Sequence, residues 1–257
     1  MEPKDIVNLD VMRLQKKMSK TLSPQTVKHV LNLLTWIVNY GTKNNLCEGL
    51  TFHIKKPTVN NEVTEDLNPD QLNALLEAIE EDSNTDVANI MKLALYTGMR
   101  RTEIFKLQWH DINFKTGFIT IRDPKGGVDQ RIPINELAEE VLRSIHPKGS
   151  PYIFPGKDGG HRTTTGHAAQ RIVKRAGLPK NFRPLHGLRH VYASMLASSG
   201  KVDMYVLQRL LTHKSPKMTQ RYAHLRDEAL KNGASQIDEI IGNSRIKDDL
   251  DNVINLR

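Results

Sequence analysis

The sequence predicts a mainly α fold of the α+β kind. A helical domain carries a small antiparallel β-sheet and follows a smaller, partial helical domain. Three observations predict this. Apolar residues recur at three- and four-residue steps behind two cap-plus-proline helix starts, Ser23-Pro24 and Asn68-Pro69. Residues 118–134 alternate instead, and are isoleucine-rich on both sides of a Pro-Lys-Gly-Gly turn. Between the two helical parts, residues 53–66 hold Pro, Asn and Lys without stable periodicity and read as a linker.

In chain order, Ile6, Leu9, Met12 and Leu14 mark a short first helix. Ser23 caps the second, with proline at its first position, and Val27, Val30, Leu31, Leu34, Ile37 and Val38 form its apolar face. Gly41 and Asn44-Asn45 end it. Two helices make a poor independent core, so residues 1–52 read as a domain that is incomplete or depends on a partner. After the linker, Leu72, Leu75, Leu76 and Ile79 give one helix, and 87–96 gives another, closed by Thr97-Gly98. Residues 101–107 suit a short helix. Strands at 118–122 and 128–134 form a hairpin, and 152–154 is expected to add a third strand. Helices are expected at 163–176, 185–199, 202–211 and 227–241. The tail, 234–257, carries Ile237, Ile240, Ile241, Ile246, Leu250, Val253 and Ile254 at amphipathic helical spacing.

Composition narrows the function. The 257 residues suit one large domain or two unequal ones. Lys plus Arg number 37 against 29 Asp plus Glu, a net charge of +8, which favours a polyanionic partner and nucleic acid first. The one cysteine, Cys47, forms no intramolecular disulfide and no cysteine-based zinc site, and fits a reducing cytoplasm. No apolar run approaches the ~18 residues of a membrane span, and the first ten residues carry no secretory signal. Nucleotide-binding glycine motifs and HExxH are missing, and the glycines of 155–160 read as a turn. His186 and His190 stand four apart but have no evident third metal ligand.

Several polar residues stand at ordered places. Arg100 follows a helix-ending glycine, in TGMRRTE, and Glu103 is spaced to orient it. Lys125 sits at the hairpin tip. His186 and Arg189 share a helical face in LHGLRH, where His190 reads as a supporting residue. His213 follows an apolar helix in LLTHKSP, and Tyr222 lies in the polar segment MTQRYAH. These residue types suit phosphodiester chemistry. Paired arginines clamp phosphate oxygens, a mobile lysine protonates a leaving oxygen, histidines move protons, and a tyrosine can attack phosphorus. Each also has a bland alternative as surface charge, turn residue or structural histidine. Tyr96 and Tyr192 sit in apolar patterns and read as core, and Tyr40 as packing near a helix end.

Taken together, in this order, these motifs resemble the tyrosine recombinase (phage integrase) family. The resemblance covers about 67–226 well and 22–50 more weakly. It makes 67–233 the catalytic domain and 1–52 a partial core-binding domain, with two helices where the family has about four. On that pattern the chain is either a fragment of a longer integrase or a short variant. The resemblance implies that Tyr222 attacks the scissile phosphate to give a 3′-phosphotyrosine. Arg100, Arg189 and His213 hold the phosphate, Lys125 protonates the leaving 5′-oxygen, and His186 assists proton transfer. No metal, ATP or other cofactor is implied. The implied partners are double-stranded DNA, with Lys55 and Lys56 as phosphate contacts, and further copies of the chain, four on two sites. A directionality factor or a host DNA-bending protein is a further implied partner. The tail is expected to dock in cis or on a neighbouring subunit. The implied setting is a prokaryotic cytoplasm, on the nucleoid, and the implied role is integration or excision of a mobile element, with resolution of chromosome dimers as the alternative within the family. The rivals are a type IB topoisomerase-like enzyme, which reseals the same strand, and a DNA-binding protein of this fold without catalysis.

Overall fold

The computed structural model describes residues 5–59, 65–122, 127–226, 230–231 and 234–237. The chain divides into two compact units, Met1–Glu62 and Val63–Arg257. In the first, α1 (Asn8–Met18) packs on α2 (Pro24–Lys43). The Ser23 side chain accepts the Thr26 amide and so caps α2 as the sequence predicts. The buried core of this unit is small: Val11, Val27, Leu31 and Ile54, with Ile6, Met18, Leu34, Leu50 and Phe52 packed around it. Ile54 lies inside the expected linker. The first unit therefore recruits the start of that segment to close its core. Glu65, at the other end, is bonded by Arg183 of the second unit.

The apolar residues of α2 do not all turn inward. Val27, Leu31 and Val38 are buried, but Ile37 and Tyr40 are 60% and 67% exposed. The expected packing of Tyr40 at the helix end is thus absent. The stripe read from the sequence is wider than a single partner helix can cover.

The second unit is built around α4 (Thr85–Thr97), in which Val87, Ala88, Ile90, Met91, Leu93, Ala94 and Leu95 are all buried. Each fully buried Ile, Leu or Met side chain contributes about 1.5–3 kcal/mol, so this helix anchors the domain. Its partners are α3 (Pro69–Glu80), α6 (Glu136–Ser144), α7 (Ala168–Arg175) and, most extensively, α8 (Pro184–Ser198). Asn68 caps α3 in a capping box with Gln71. The half-buried end of α7 is fixed by Arg171 and Arg175, which both bond the buried carboxylate of Asp82. A smaller cluster forms on the C-terminal half of α8, where Ala193 and Ala197 meet Leu207, Leu211 and Tyr222. Leu207 comes from α9 (Met204–Leu210). Tyr222 comes from the turn that joins α10 (Pro216–Gln220) to a 3₁₀ turn at Ala223–Arg226.

Three antiparallel strands lie in the order β1 (Ile112–Asn113), β2 (Phe118–Ile121), β3 (Gln130–Pro133). Ile119 pairs with Ile132, and both point into the core with Ile121. The hairpin is where the sequence places it. The third strand is not: β1 precedes the hairpin, while Tyr152 makes only a single bridge to Gln108. Helix α6 is absent from the expectations above. It is capped by Asn135 and buries only Ala138, Val141 and Leu142, a stripe too narrow to stand out among its charges. The helix expected at 163–176 begins only at Ala168. Most of 227–241 and of the tail lies outside the described residues, and so does Lys125. Among the described residues no helix is long and apolar enough to cross a membrane.

Gly98 ends α4 in the left-handed conformation, at φ 65°, and donates its N–H to Ala94. A Cβ there would lie 2.4 Å from the Tyr192 ring on α8. Backbone strain of about 1–3 kcal/mol and a steric clash act together at this position. Gly98→Ala is expected to lower the unfolding free energy by about 2 kcal/mol or more, measured by urea denaturation. An unchanged midpoint would show that α4 and α8 do not approach this closely.

Candidate active site

Each polar residue of the site is carried by a structural boundary. Arg100 stands at the N-cap of α5 (Arg101–Lys106). Its backbone N–H donates to Glu103 Oε2 at 2.8 Å, and its Nη1 donates to Glu103 Oε1 at 2.8 Å. One carboxylate thus caps the helix and aims the arginine. Nη1 also donates to Thr212 Oγ1 at 2.6 Å, and Nη2 to the Thr212 carbonyl at 3.4 Å. Thr212 follows α9 at φ 50°, a left-handed conformation that costs a β-branched residue about 1–3 kcal/mol. That turn presents both of its oxygens to Arg100.

Arg189 lies on α8 and is 5% exposed. Its Nη1 donates to the Gly98 carbonyl at 2.6 Å, and its Nη2 donates to the Leu211 carbonyl. Among the described residues no carboxylate bonds it. Burial, and then the neighbouring Arg100 cation, hold its pKa down to about 10, so it stays charged at neutral pH. The helix-ending turns after α4 and α9 therefore grip one guanidinium from two sides. Two cations face the same site, and among the described residues Glu103 is the one acid bonded to either.

His213 follows Thr212 and pairs its Nδ1 with the Thr219 hydroxyl at 2.9 Å. With Thr219 donating, Nε2 carries the proton and can donate to an anion. Burial, then Arg189 and Arg100, press its pKa down to about 3. Tyr222 is 2% exposed, and its hydroxyl lies 2.6 Å from Nδ1 of His190. Burial raises the phenol pKa above its ordinary value, although Arg221, Arg189 and Arg183 oppose the rise. His190 is buried and held neutral, with a pKa near 4, by burial and then by His186 and Arg221. Its Nε2 lies 3.2 Å from Nε2 of His186, which is exposed.

Arg100 with Glu103, Arg189, His213, and the chain Tyr222–His190–His186 therefore stand near one another, close enough for the arginines to act electrostatically on His213 and Tyr222. Lys55 and Lys56 lie in the first unit, where with Arg13 and Lys16 they line a cleft beside α1. Sequence reading missed Thr212 and Thr219, which position Arg100 and His213. Their one signal is adjacency to the histidine and tyrosine motifs. It also missed the Gly98 and Leu211 carbonyls, for which no side chain could serve as a marker.

His190 and His213 both titrate below the ordinary 6.5 when folded. The unfolded chain then binds more protons. The stabilisation from burying them neutral is complete above about pH 6.5 and is lost as pH falls towards their folded values, by up to about 1.4 kcal/mol per pH unit for each. Urea unfolding at pH 5.0 is expected to give a clearly lower free energy than at pH 7.5. Equal values at the two pH settings would contradict neutral burial.

Residues 65–229 match the phage integrase family. Tyrosine recombinase XerA of Pyrococcus furiosus is 29% identical over 243 residues, which cover 91% of this chain and 82% of that protein. The integrase of Salmonella phage P22 is 30% identical over 206 residues, 74% of this chain and 51% of that one. The fold is that of the XerH site-specific recombinase bound to its palindromic difH substrate. That match has a TM-score of 0.74 at 23% identity, and covers 90% of this chain and 72% of XerH. With a match over this much of its length, the chain belongs to the phage integrase family, the tyrosine recombinases.

Proposed function

We propose that this chain cuts and rejoins double-stranded DNA at specific sites through a 3′-phosphotyrosine formed at Tyr222. The observation that carries the reading is a buried tyrosine near enough to Arg189 for that cation to oppose the rise of its pKa, while among the described residues no carboxylate bonds Arg189. A scissile phosphate supplies the missing negative charge. Arg100 and Arg189 donate to its non-bridging oxygens and stabilise the extra charge of the pentacoordinate transition state. His213, neutral and donating through Nε2, adds a third hydrogen bond. Lys125, which the sequence puts between the two hairpin strands, protonates the departing 5′-oxygen. The phosphotyrosine retains the ester energy, and the 5′-hydroxyl of a partner strand reverses the attack.

The first unit supplies further phosphate contacts through Lys55 and Lys56, and such contacts make binding weaken with added salt. Two sites brought together require several copies of the chain. We read the working form as a tetramer on DNA, in the cytoplasm on the nucleoid, with the tail joining subunits and a directionality or DNA-bending factor setting the outcome. The likeness to the phage P22 integrase supports integration or excision of a mobile element. Strand-exchanged products separate this reading from a topoisomerase-like one, which returns only the parental strands.

The test is trapping of the intermediate. The protein is mixed with sheared DNA without metal or ATP, stopped with SDS, and the attached DNA ends are sequenced. Adducts at one sequence are expected with the native chain and none with Tyr222→Phe. Persistence of the adduct in Tyr222→Phe would remove Tyr222 from the role. Arg100→Gln is expected to slow cleavage by about 10²–10³-fold while changing DNA affinity less than about tenfold. Equal losses in both would make Arg100 a binding residue only.

A further inference from the structure

A buried phenol with a raised pKa does not ionise at neutral pH, so the attack of Tyr222 needs a base. The group within reach is His190. Its Nδ1 lies 2.6 Å from the Tyr222 hydroxyl, and its Nε2 lies 3.2 Å from Nε2 of His186, one turn earlier on α8. The two imidazole rings meet edge to face, with centroids 4.7 Å apart. One arrangement of protons makes this chain conducting. Tyr222 O–H donates to Nδ1 of His190, and Nε2–H of His190 donates to Nε2 of His186. An imidazole can take a proton at one nitrogen while releasing one from the other.

The surroundings of His190 decide where the proton stops. Arg183, at the N-cap of α8, and Arg221, beside the tyrosine, oppose a charge on His190, as does His186. Glu65 favours one but is bonded by Arg183. His190 is buried, whereas His186 is exposed. A proton therefore gains by passing through His190 to His186 and on to water.

We propose that His190 is the immediate proton acceptor for Tyr222 and that His186 carries the proton onward to solvent. The proposal rests on the reading of Tyr222 as nucleophile. As the tyrosine oxygen bonds to phosphorus, its O–H bond breaks and the proton joins Nδ1 of His190. The Nε2 proton of His190 moves to His186. The bond from phosphorus to the 5′-oxygen breaks, and that oxygen takes its proton from a separate acid. Rejoining runs the same transfers backwards.

The experiment uses the full chain and a duplex bearing the mapped site with sulfur in place of the bridging 5′-oxygen. A thiolate leaves without an acid, so the rate reports on the nucleophile side alone. His190→Ala is expected to cut this DNA at least about 100-fold more slowly than the native chain at pH 7. The gap should narrow as pH rises and hydroxide replaces the base. His190→Asn can still bond the phenol but cannot relay a proton, so it should follow His190→Ala. It carries the test alone if His190→Ala does not unfold cooperatively. Native rate in His190→Asn, a deficit independent of pH, or full recovery of His190→Ala on the sulfur substrate would each overturn the proposal. Tyr222→Phe, run beside them, reports on the nucleophile itself: cleavage there sinks the assignment of Tyr222, whereas its absence leaves the His190 result to stand alone.

Discussion

The Arg189 guanidinium, buried and gripped by the carbonyls of Gly98 and Leu211, is the contact on which the rest of the site depends. Removing an ion from water costs several kcal/mol even after relaxation. Hydrogen bonds from a charged group to two carbonyls return about 1.5–3 kcal/mol each, which orients the group without neutralising it. A carboxylate in their place would stabilise the free protein more and attract phosphate less. The fold accepts the cost because α4 and α8 pack along each other through side chains that are almost all buried, which holds the Gly98 turn and Arg189 in register. Thr212, in its left-handed conformation, sets Arg100 in the same way from the turn after α9.

This unneutralised charge governs the titrating groups around it. It adds to burial in keeping His213 neutral, so that a hydrogen-bond donor is available across the physiological range without bringing a third cation. On Tyr222 the effects oppose each other. Burial raises the phenol pKa and the arginines lower it, with burial the stronger in the free protein. The tyrosine thus rests protonated and hydrogen-bonded to His190 inside the small core of α8, α9 and α10. On the proposed mechanism, activation of Tyr222 is then a matter of proton removal as much as of electrostatic pull.

Helix starts were the most legible part of the sequence, because Ser23 and Asn68 cap with a proline beside them and local chemistry alone decides such ends. The core helix α4 was legible as an apolar run closed by Thr97-Gly98, and the β2–β3 hairpin as alternation on either side of a turn. What failed was set by tertiary packing. Ile37 shares the periodic face of α2 yet stays exposed, Tyr40 does not pack at the helix end, α6 has too narrow a stripe, and β1 is only two residues long. In the site, side chains with chemical character were visible at their spacings. The backbone carbonyls of Gly98 and Leu211 were not, since an acceptor of this kind follows from chain path and leaves no residue type behind. His190 was visible only as a supporting residue, because its proximity to Tyr222 joins positions 32 residues apart.

The central claim is that the arginine pair forms a site waiting for one negative charge. The most direct measurement compares two duplexes that differ only at the scissile position, one with the natural phosphate and one with an uncharged methylphosphonate. Their dissociation constants are determined for the native chain and for Arg189→Met. The account predicts that the native chain prefers the charged duplex by about tenfold or more, roughly the strength of one charge-assisted hydrogen bond, and that Arg189→Met loses most of that preference. Equal affinity of the native chain for both duplexes would contradict it.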